Sequence, residues 1–164
     1  MASSFSWLSP LGISVGIFLA IGALWFVIGA LTVPLHDRST GSEMLFVSHS
    51  TDSAYFGASP SELLASTPAI AKLRTLLLTV IAGFLLLSGS AFMLLAWYGL
   101  RTGQPWALGT LAIGAVLAIV WWTLALLPYF RSGIRVTLGD LPPFMWIPAI
   151  LVLPAAILGW IGLG

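Results

Sequence analysis

Four apolar runs without a single charged residue dominate this sequence. They cover residues 11–33, 75–100, 105–130 and 141–164. A helix rises about 1.5 Å per residue, so roughly 20 residues cross the ~30 Å hydrocarbon core of a bilayer. Because backbone polar groups in lipid must be satisfied within the segment, each run is predicted to be a transmembrane helix.

The composition excludes a water-soluble fold. Hydrophobic residues make up 59% of the 164 residues and charged residues 7%, whereas soluble domains have about 45–50% and about 25%. A chain of this length cannot hide so much apolar surface from water, and its few charges cannot cover what stays exposed. The sequence therefore predicts an integral membrane protein.

The connections between the runs predict the topology. The four helices are expected at about residues 11–33, 68–100, 105–130 and 141–164. Residues 34–67 form a long polar connection, in which Ser59, Pro60 and Glu62 have the pattern of a capping box and predict a short helix at 60–66. The other two connections are short, and short connections place consecutive helices antiparallel. We expect one transmembrane domain over residues 1–164, an all-α, antiparallel four-helix bundle.

The positive charges predict the orientation. Arg101 lies in the tight connection at residues 101–104. The other five basic residues lie in or beside the two longer connections, at residues 34–67 and 131–140: Arg38, Lys72, Arg74, Arg131 and Arg135. By the positive-inside rule the two longer connections face the cytoplasm and both termini lie outside.

The scarcity of charge also limits the chemistry. Six Lys and Arg against five Asp and Glu give a net charge of +1, so no charged field attracts nucleic acid. The absence of Cys excludes disulfides, iron–sulfur clusters and thiolate nucleophiles. An ionisable residue within a span usually marks an ion path or a proton relay, and the four runs contain none. Nucleic-acid binding, proton-coupled transport and charged-solute channels are therefore set aside.

Small residues recur at helical spacing in all four runs, where they would allow close helix packing. They are Gly12, Gly16 and Ala20 in the first, Ala82, Gly89 and Ala96 in the second, Gly114 and Ala118 in the third, and Ala155 and Gly159 in the fourth. One interpretation is packing within the bundle. The other is that at least one stripe binds another subunit.

Three tryptophans, Trp25, Trp121 and Trp122, lie away from the helix ends. Buried indoles usually need a partner for their N–H group, and three at a similar depth are suited to line a pocket for a lipid, quinone or pigment ring. The alternative is ordinary packing in the core or against lipid. No cofactor is predicted, although a non-covalently bound lipid, quinone or pigment is compatible with this pattern.

The long connection contains the two histidines of the chain, His36 and His49, with Asp37, Asp52 and Glu62 nearby. Histidine paired with a carboxylate is the chemistry of a zinc site or a general base. The spacing matches no metal template, and we interpret these side chains as solvated loop residues, with Glu62 in the capping box. No catalytic residue and no metal site is predicted.

One stretch of the chain resembles a known family. Residues 55–57 (Tyr-Phe-Gly), 59–64 (beginning Ser-Pro-x-Glu-Leu), Pro68 and the turn at 101–107 are similar to small, uncharacterised bacterial four-helix membrane proteins of the DoxX-like kind. The resemblance covers about residues 55–107. It implies four helices in a bacterial inner membrane, and it implies no catalytic residue.

Together these features predict a non-enzymatic accessory or structural subunit that packs against membrane lipids and against other membrane proteins or a second copy of itself. The alternative is an enzyme or carrier for an apolar, lipid- or quinone-like substrate, with the long connection as a lid over the tryptophans.

Overall fold

The computed structural model describes residues 5–36 and 45–164, with residues 33–36 described by their backbone alone. In this part of the chain the α-helices are α1 (Pro10–His36), α2 (His49–Phe56), α3 (Pro60–Ser66), α4 (Pro68–Leu94), α5 (Pro105–Arg131) and α6 (Pro143–Leu163). A π-helical turn at Leu95–Gly99 and a 3-10 turn at Leu100–Thr102 continue α4 to the tight connection.

Four helices are long and apolar enough to cross a membrane: α1, α4 with its continuation, α5 and α6. The prediction of an all-α bundle of four membrane helices is confirmed, and the chain is a helical membrane protein. The short helix at 60–66 is also present, with both hydrogen bonds of the capping box between Ser59 and Glu62. These bonds from the Ser59 side chain and backbone lower the pKa of Glu62 below its ordinary value.

The helix α1 lies between α4 and α6 and packs along both of them. Each of these neighbours runs antiparallel to α1. The helix α5 packs along α6 and against the turns that continue α4, and it contacts α4 itself far less. The four helices therefore form a bundle in which one seam, between α4 and α5, is closed only near the tight connection.

Glycine allows α1 and α4 to approach closely. A Cβ atom placed on Gly89 of α4 would lie 2.5 Å from the Phe26 nitrogen and 2.6 Å from the Gly22 carbonyl oxygen of α1. One heptad further along, a Cβ atom on Gly29 would lie 2.7 Å from the Ala82 carbonyl oxygen. These distances are too short for any side chain, so this face requires small residues on both helices.

The predicted small residues therefore have different surroundings. Ala82, Gly89 and Ala96 are buried, and the first two lie in this contact with α1. On α1 the partners in the contact are Gly22 and Gly29, which are not in the predicted stripe. Gly16 has no atom within 4 Å of its Cβ position, Ala20 is exposed, and Gly12 lies against the backbone of residues 6 and 7.

Two hydrogen bonds from α1 to backbone carbonyls hold α6 in place. The Ser14 hydroxyl donates to the Ala155 carbonyl oxygen over 2.7 Å. The Trp25 indole nitrogen donates to the Phe144 carbonyl oxygen over 3.0 Å. In a regular helix that carbonyl accepts from the residue four positions later, which here is Pro148 and has no N–H group. Trp25 supplies the missing donor.

We expect Gly89→Ala to lower the free energy of unfolding by about 1–3 kcal/mol, because a methyl group there overlaps the α1 backbone. Gly16→Ala is the matched control. Its Cβ position is open, so the change should be neutral or slightly stabilising through helix propensity. Thermal unfolding in detergent, followed by circular dichroism, measures both. Equal losses of stability in the two variants would contradict this account of the α1–α4 contact.

Candidate functional site

A cavity of about 500 Å³ lies in the open part of the seam between α4 and α5. We call it the membrane cavity. Leu85 and Phe92 of α4 are buried in its wall, and Gly114 and Ala118 of α5 face them across the seam. The last two residues, predicted as a packing stripe, thus border the cavity, and their small size contributes to its width.

All three tryptophans singled out in the sequence line this one cavity. Trp25 of α1 forms its back, where the indole ring meets the Phe92 ring edge-on at 4.8 Å. Trp122 is half-buried, with its ring centroid 5.5 Å from that of Phe144. Trp121 lies at the rim. The depth of these residues was visible in the sequence, but their convergence follows from the way α1 and α5 flank the seam.

The membrane cavity opens sideways, away from the core of the bundle. Two residues of its rim, Phe84 of α4 and Trp121 of α5, are 66% and 73% exposed. In a membrane the outer surface of these helices faces lipid, so the opening leads to the bilayer. A molecule can thus enter the cavity from the bilayer without crossing water.

The lining of the membrane cavity is almost wholly apolar. Ser88 and Thr110 are the polar side chains among the described residues of its wall, apart from the tryptophans. The Thr110 hydroxyl donates to the Trp106 carbonyl oxygen of its own helix over 2.9 Å, and the Trp25 N–H group is bonded to α6. The wall is therefore suited to an acyl or isoprenoid chain rather than to a polar molecule.

A buried carboxylate, Asp52 of α2, organises the segment before it. Its oxygens accept the backbone N–H groups of Leu45 at 2.7 Å, Phe46 at 2.9 Å and Val47 at 3.3 Å. They also accept the Tyr129 hydroxyl of α5 at 2.8 Å. Asp52 is 0% exposed, so its interpretation as a solvated loop residue is wrong. Its donors are mainly backbone groups, which have no signature in a sequence.

A second cavity, of about 450 Å³, lies beside the start of α4 and under α2 and α3. We call it the interfacial cavity. Its wall contains Leu45, Phe46, Leu63 and Leu77, together with the guanidinium group of Arg74. The Arg74 side chain is also within electrostatic range of Asp52. Among the described residues, the wall of this cavity thus combines apolar side chains with the charged group of Arg74.

Asp140 joins the two longer connections to each other. It accepts the Ser48 hydroxyl at 2.9 Å from the first connection, and the Thr137 hydroxyl and backbone N–H group at 2.7 and 2.9 Å from the second. The bonds from Thr137, followed by that from Ser48, lower the pKa of Asp140 to about 2. Asp140 is therefore ionised at neutral pH and holds the segment around Ser48 in place.

The other polar residues considered in the sequence do not converge. His49 and Glu62 are exposed, while Asp37 and the side chain of His36 lie outside the described residues. Among the His, Asp and Glu residues that the structure describes, no group of three or more is placed to hold a metal ion.

Comparisons with family models, with curated proteins and with solved structures find no match to this chain. The resemblance to DoxX-like proteins therefore stays a prediction.

We expect Asp52→Asn to loosen residues 45–56. The amide would place its own N–H donors against backbone donors in a buried site, at a cost of about 1–3 kcal/mol. Hydrogen–deuterium exchange in this segment should then become about 10-fold faster or more, with α1 and α6 unchanged. Glu62→Gln, at an exposed capping position where glutamine also serves, is the control. Unaltered exchange in the Asp52 variant would show that the carboxylate does not hold the segment.

Proposed function

We propose that this protein binds an apolar molecule from the bilayer and holds or carries it in the membrane cavity. The observation that carries the proposal is the apolar cavity of about 500 Å³ that opens between α4 and α5 towards lipid. Its volume lies in the range of roughly 300–1,000 Å³ typical of ligand sites. This favours the carrier alternative over a purely structural subunit.

The packing around the cavity supports a built site rather than a loose bundle. Phe18, Ile21 and Leu111 are almost completely buried in the core, and the α1–α4 contact leaves no room even for a methyl group. The back wall is fixed as well, because Trp25 is hydrogen-bonded to α6. Since the wall offers aromatic and aliphatic groups, the proposed activity is binding or carriage of a lipid- or quinone-like molecule.

We further propose a bacterial inner membrane as the location, with the two longer connections in the cytoplasm. Support for this orientation comes from four basic residues at the same end of the bundle, Lys72, Arg74, Arg131 and Arg135, near the ends of α4 and α5. The positive-inside rule assigns that end to the cytoplasm. The bacterial membrane rests on the resemblance to DoxX-like proteins.

A role as an accessory subunit is the second candidate. It is favoured by the outer face of α1, where Gly16 has open space at its Cβ position and Ala20 is exposed one turn later. Small residues on an outer face allow a second membrane helix to approach closely. This candidate function predicts that mild detergent extracts the protein from native membranes as part of a complex.

Native mass spectrometry after mild extraction measures the mass of the extracted particle. A complex with other chains, or with further copies of this chain, is expected to exceed the 17.4 kDa of a single chain plus bound lipid. A single chain under all mild conditions would contradict the accessory-subunit candidate and leave the binding proposal unaffected.

The binding proposal is tested by filling the cavity. Ala118→Phe places a ring in the membrane cavity, and retention of a neutral lipid, dioleoylglycerol, should fall about 10-fold or more because several methylene groups lose their contacts. Val116→Phe is the matched control, since Val116 lies on the same helix and is exposed outside the cavity wall. Native mass spectrometry of the detergent-purified proteins gives the bound fraction. No retention by the unaltered protein, or equal retention by both variants, would overturn the proposal.

A further inference from the structure

We infer that the membrane cavity binds a neutral, planar ring with a carbonyl oxygen, and that the Ser88 hydroxyl group donates a hydrogen bond to this oxygen. This inference rests on the proposed function and narrows its ligand to the quinone-like class. A hydroxyl group without a partner, its depth in the bilayer and the aromatic side chains around it point to this ligand.

Ser88 differs from the other hydroxyl side chains of the membrane helices. Among the described residues of the four spans, every other serine and threonine donates a hydrogen bond to a backbone carbonyl oxygen. The Ser88 hydroxyl has no hydrogen-bond partner in the described part of the chain, and Ser88 lines the membrane cavity. An unpaired hydroxyl group in an apolar environment costs free energy, so a bound molecule that accepts its hydrogen is stabilised.

The unpaired polar groups of the cavity wall are mainly donors. The Trp25 N–H group and the Thr110 hydroxyl are already bonded to carbonyl oxygens. The Ser88 hydroxyl and the indole N–H groups of Trp121 and Trp122 have no partner among the described residues. An indole N–H group can only donate, whereas a hydroxyl group can donate or accept. A carbonyl oxygen, which only accepts, therefore suits all of these groups.

Ser88 lies near the middle of the bilayer. It is at the centre of the uncharged run at residues 75–100, about 18–20 Å of helix from either end. Lipid headgroups lie about 15 Å from the bilayer midplane, so a lipid that is anchored by a hydrated headgroup places only its chain here. The described wall of the cavity contains no charged side chain. The acceptor therefore belongs to a neutral molecule without a hydrated headgroup.

The facing helix leaves room beside Ser88. A Cβ atom on Gly114 of α5 would lie 3.3 Å from the Phe92 ring of α4, so these two residues are about level. The two helices are antiparallel and rise equally per residue. Ser88, four residues before Phe92, is therefore about level with Ala118, four residues after Gly114. The small side chain of Ala118 leaves space for a ligand across the seam.

Aromatic rings flank this space on both sides. One turn of α4 towards the tight connection, the Phe92 ring meets the Trp25 ring edge-on at 4.8 Å. One turn of α5 in the opposite direction, Trp121 and Trp122 line the wall. Aromatic rings pack against one another offset or edge-on, at about 4.5–7 Å. A planar ring thus contacts aromatic side chains while its carbonyl oxygen accepts from Ser88.

The experiment compares two planar rings that differ in one group, fluorenone and fluorene, in which a methylene group replaces the carbonyl group. Equilibrium dialysis of the purified full-length protein, with the same detergent on both sides, measures the binding of each ring beyond its partition into micelles. Fluorenone should bind about 5-fold more tightly than fluorene, because it gains a hydrogen bond between neutral groups. Ser88→Ala should bring the two affinities to about equal.

Ser90→Ala is the matched control. It removes a hydroxyl group from the same helix two residues away, but this hydroxyl is bonded to the Leu86 carbonyl oxygen over 2.8 Å. Ser90 is also outside the cavity wall, so this variant should keep the full preference.

A second pair of probes, dihexyl ketone and tridecane, presents the same chemical difference on a flexible chain. Relative to partition into micelles, dihexyl ketone should bind more weakly than fluorenone, because it has no flat face and loses more conformational freedom. Equally tight binding of dihexyl ketone and fluorenone would overturn the assignment of a planar ring.

Each outcome decides the inference. Equal binding of the two rings by the unaltered protein overturns it while the proposed function stands, and this comparison needs no variant to fold. A preference that survives Ser88→Ala, or falls equally in Ser90→Ala, also overturns it. If Ser88→Ala fails to fold, an undiminished preference in Ser88→Cys, whose thiol is a weaker donor, overturns it. If the unaltered protein retains dioleoylglycerol but neither ring, the inference alone fails. If it retains none of these molecules, the proposed function fails.

Discussion

The close contact between α1 and α4 is the constraint on which the rest of the structure depends. Backbone meets backbone at Gly22 and Gly89, with less room than a methyl group requires. With α4 held on one side of α1 and α6 on the other, α5 packs against α6 and reaches α4 mainly near the tight connection. The open seam is therefore a consequence of two tight contacts elsewhere in the bundle.

On the side of α2 and α3, two carboxylates hold together the parts of the connections that the structure describes. Asp52 accepts hydrogen bonds from the N–H groups of residues 45–47 and from the hydroxyl group of Tyr129. Asp140 joins the two connections through hydrogen bonds from Ser48 and Thr137. Both carboxylates act at short range on groups close to the membrane surface. As a result Phe46 is held in the wall of the interfacial cavity, with its ring centroid 6.2 Å from that of Trp122.

Much of the fold could be predicted from the sequence, because it depends on local sequence patterns and on the summed hydrophobicity of long segments. The length and apolarity of four runs determine the spans, and the capping box of Ser59 and Glu62 is a local pattern. The α1–α4 contact was harder to predict from the sequence. Gly12, Gly16 and Ala20 have a more regular spacing than Gly22 and Gly29, yet the facing helix decides which glycines are needed. The partners of Asp52 are mainly backbone groups, so burial of this carboxylate could not be predicted from residue types. The convergence of the tryptophans depends on the order of the helices.

Pro148 influences a surface that it does not line. By lacking an N–H group it leaves the Phe144 carbonyl to the Trp25 indole, and Trp25 then presents only its carbon framework to the membrane cavity. The N–H group of the Trp25 indole is therefore already donated and does not serve a molecule in the cavity. A proline on α6 thereby determines which atoms of an α1 side chain line the back of the cavity between α4 and α5.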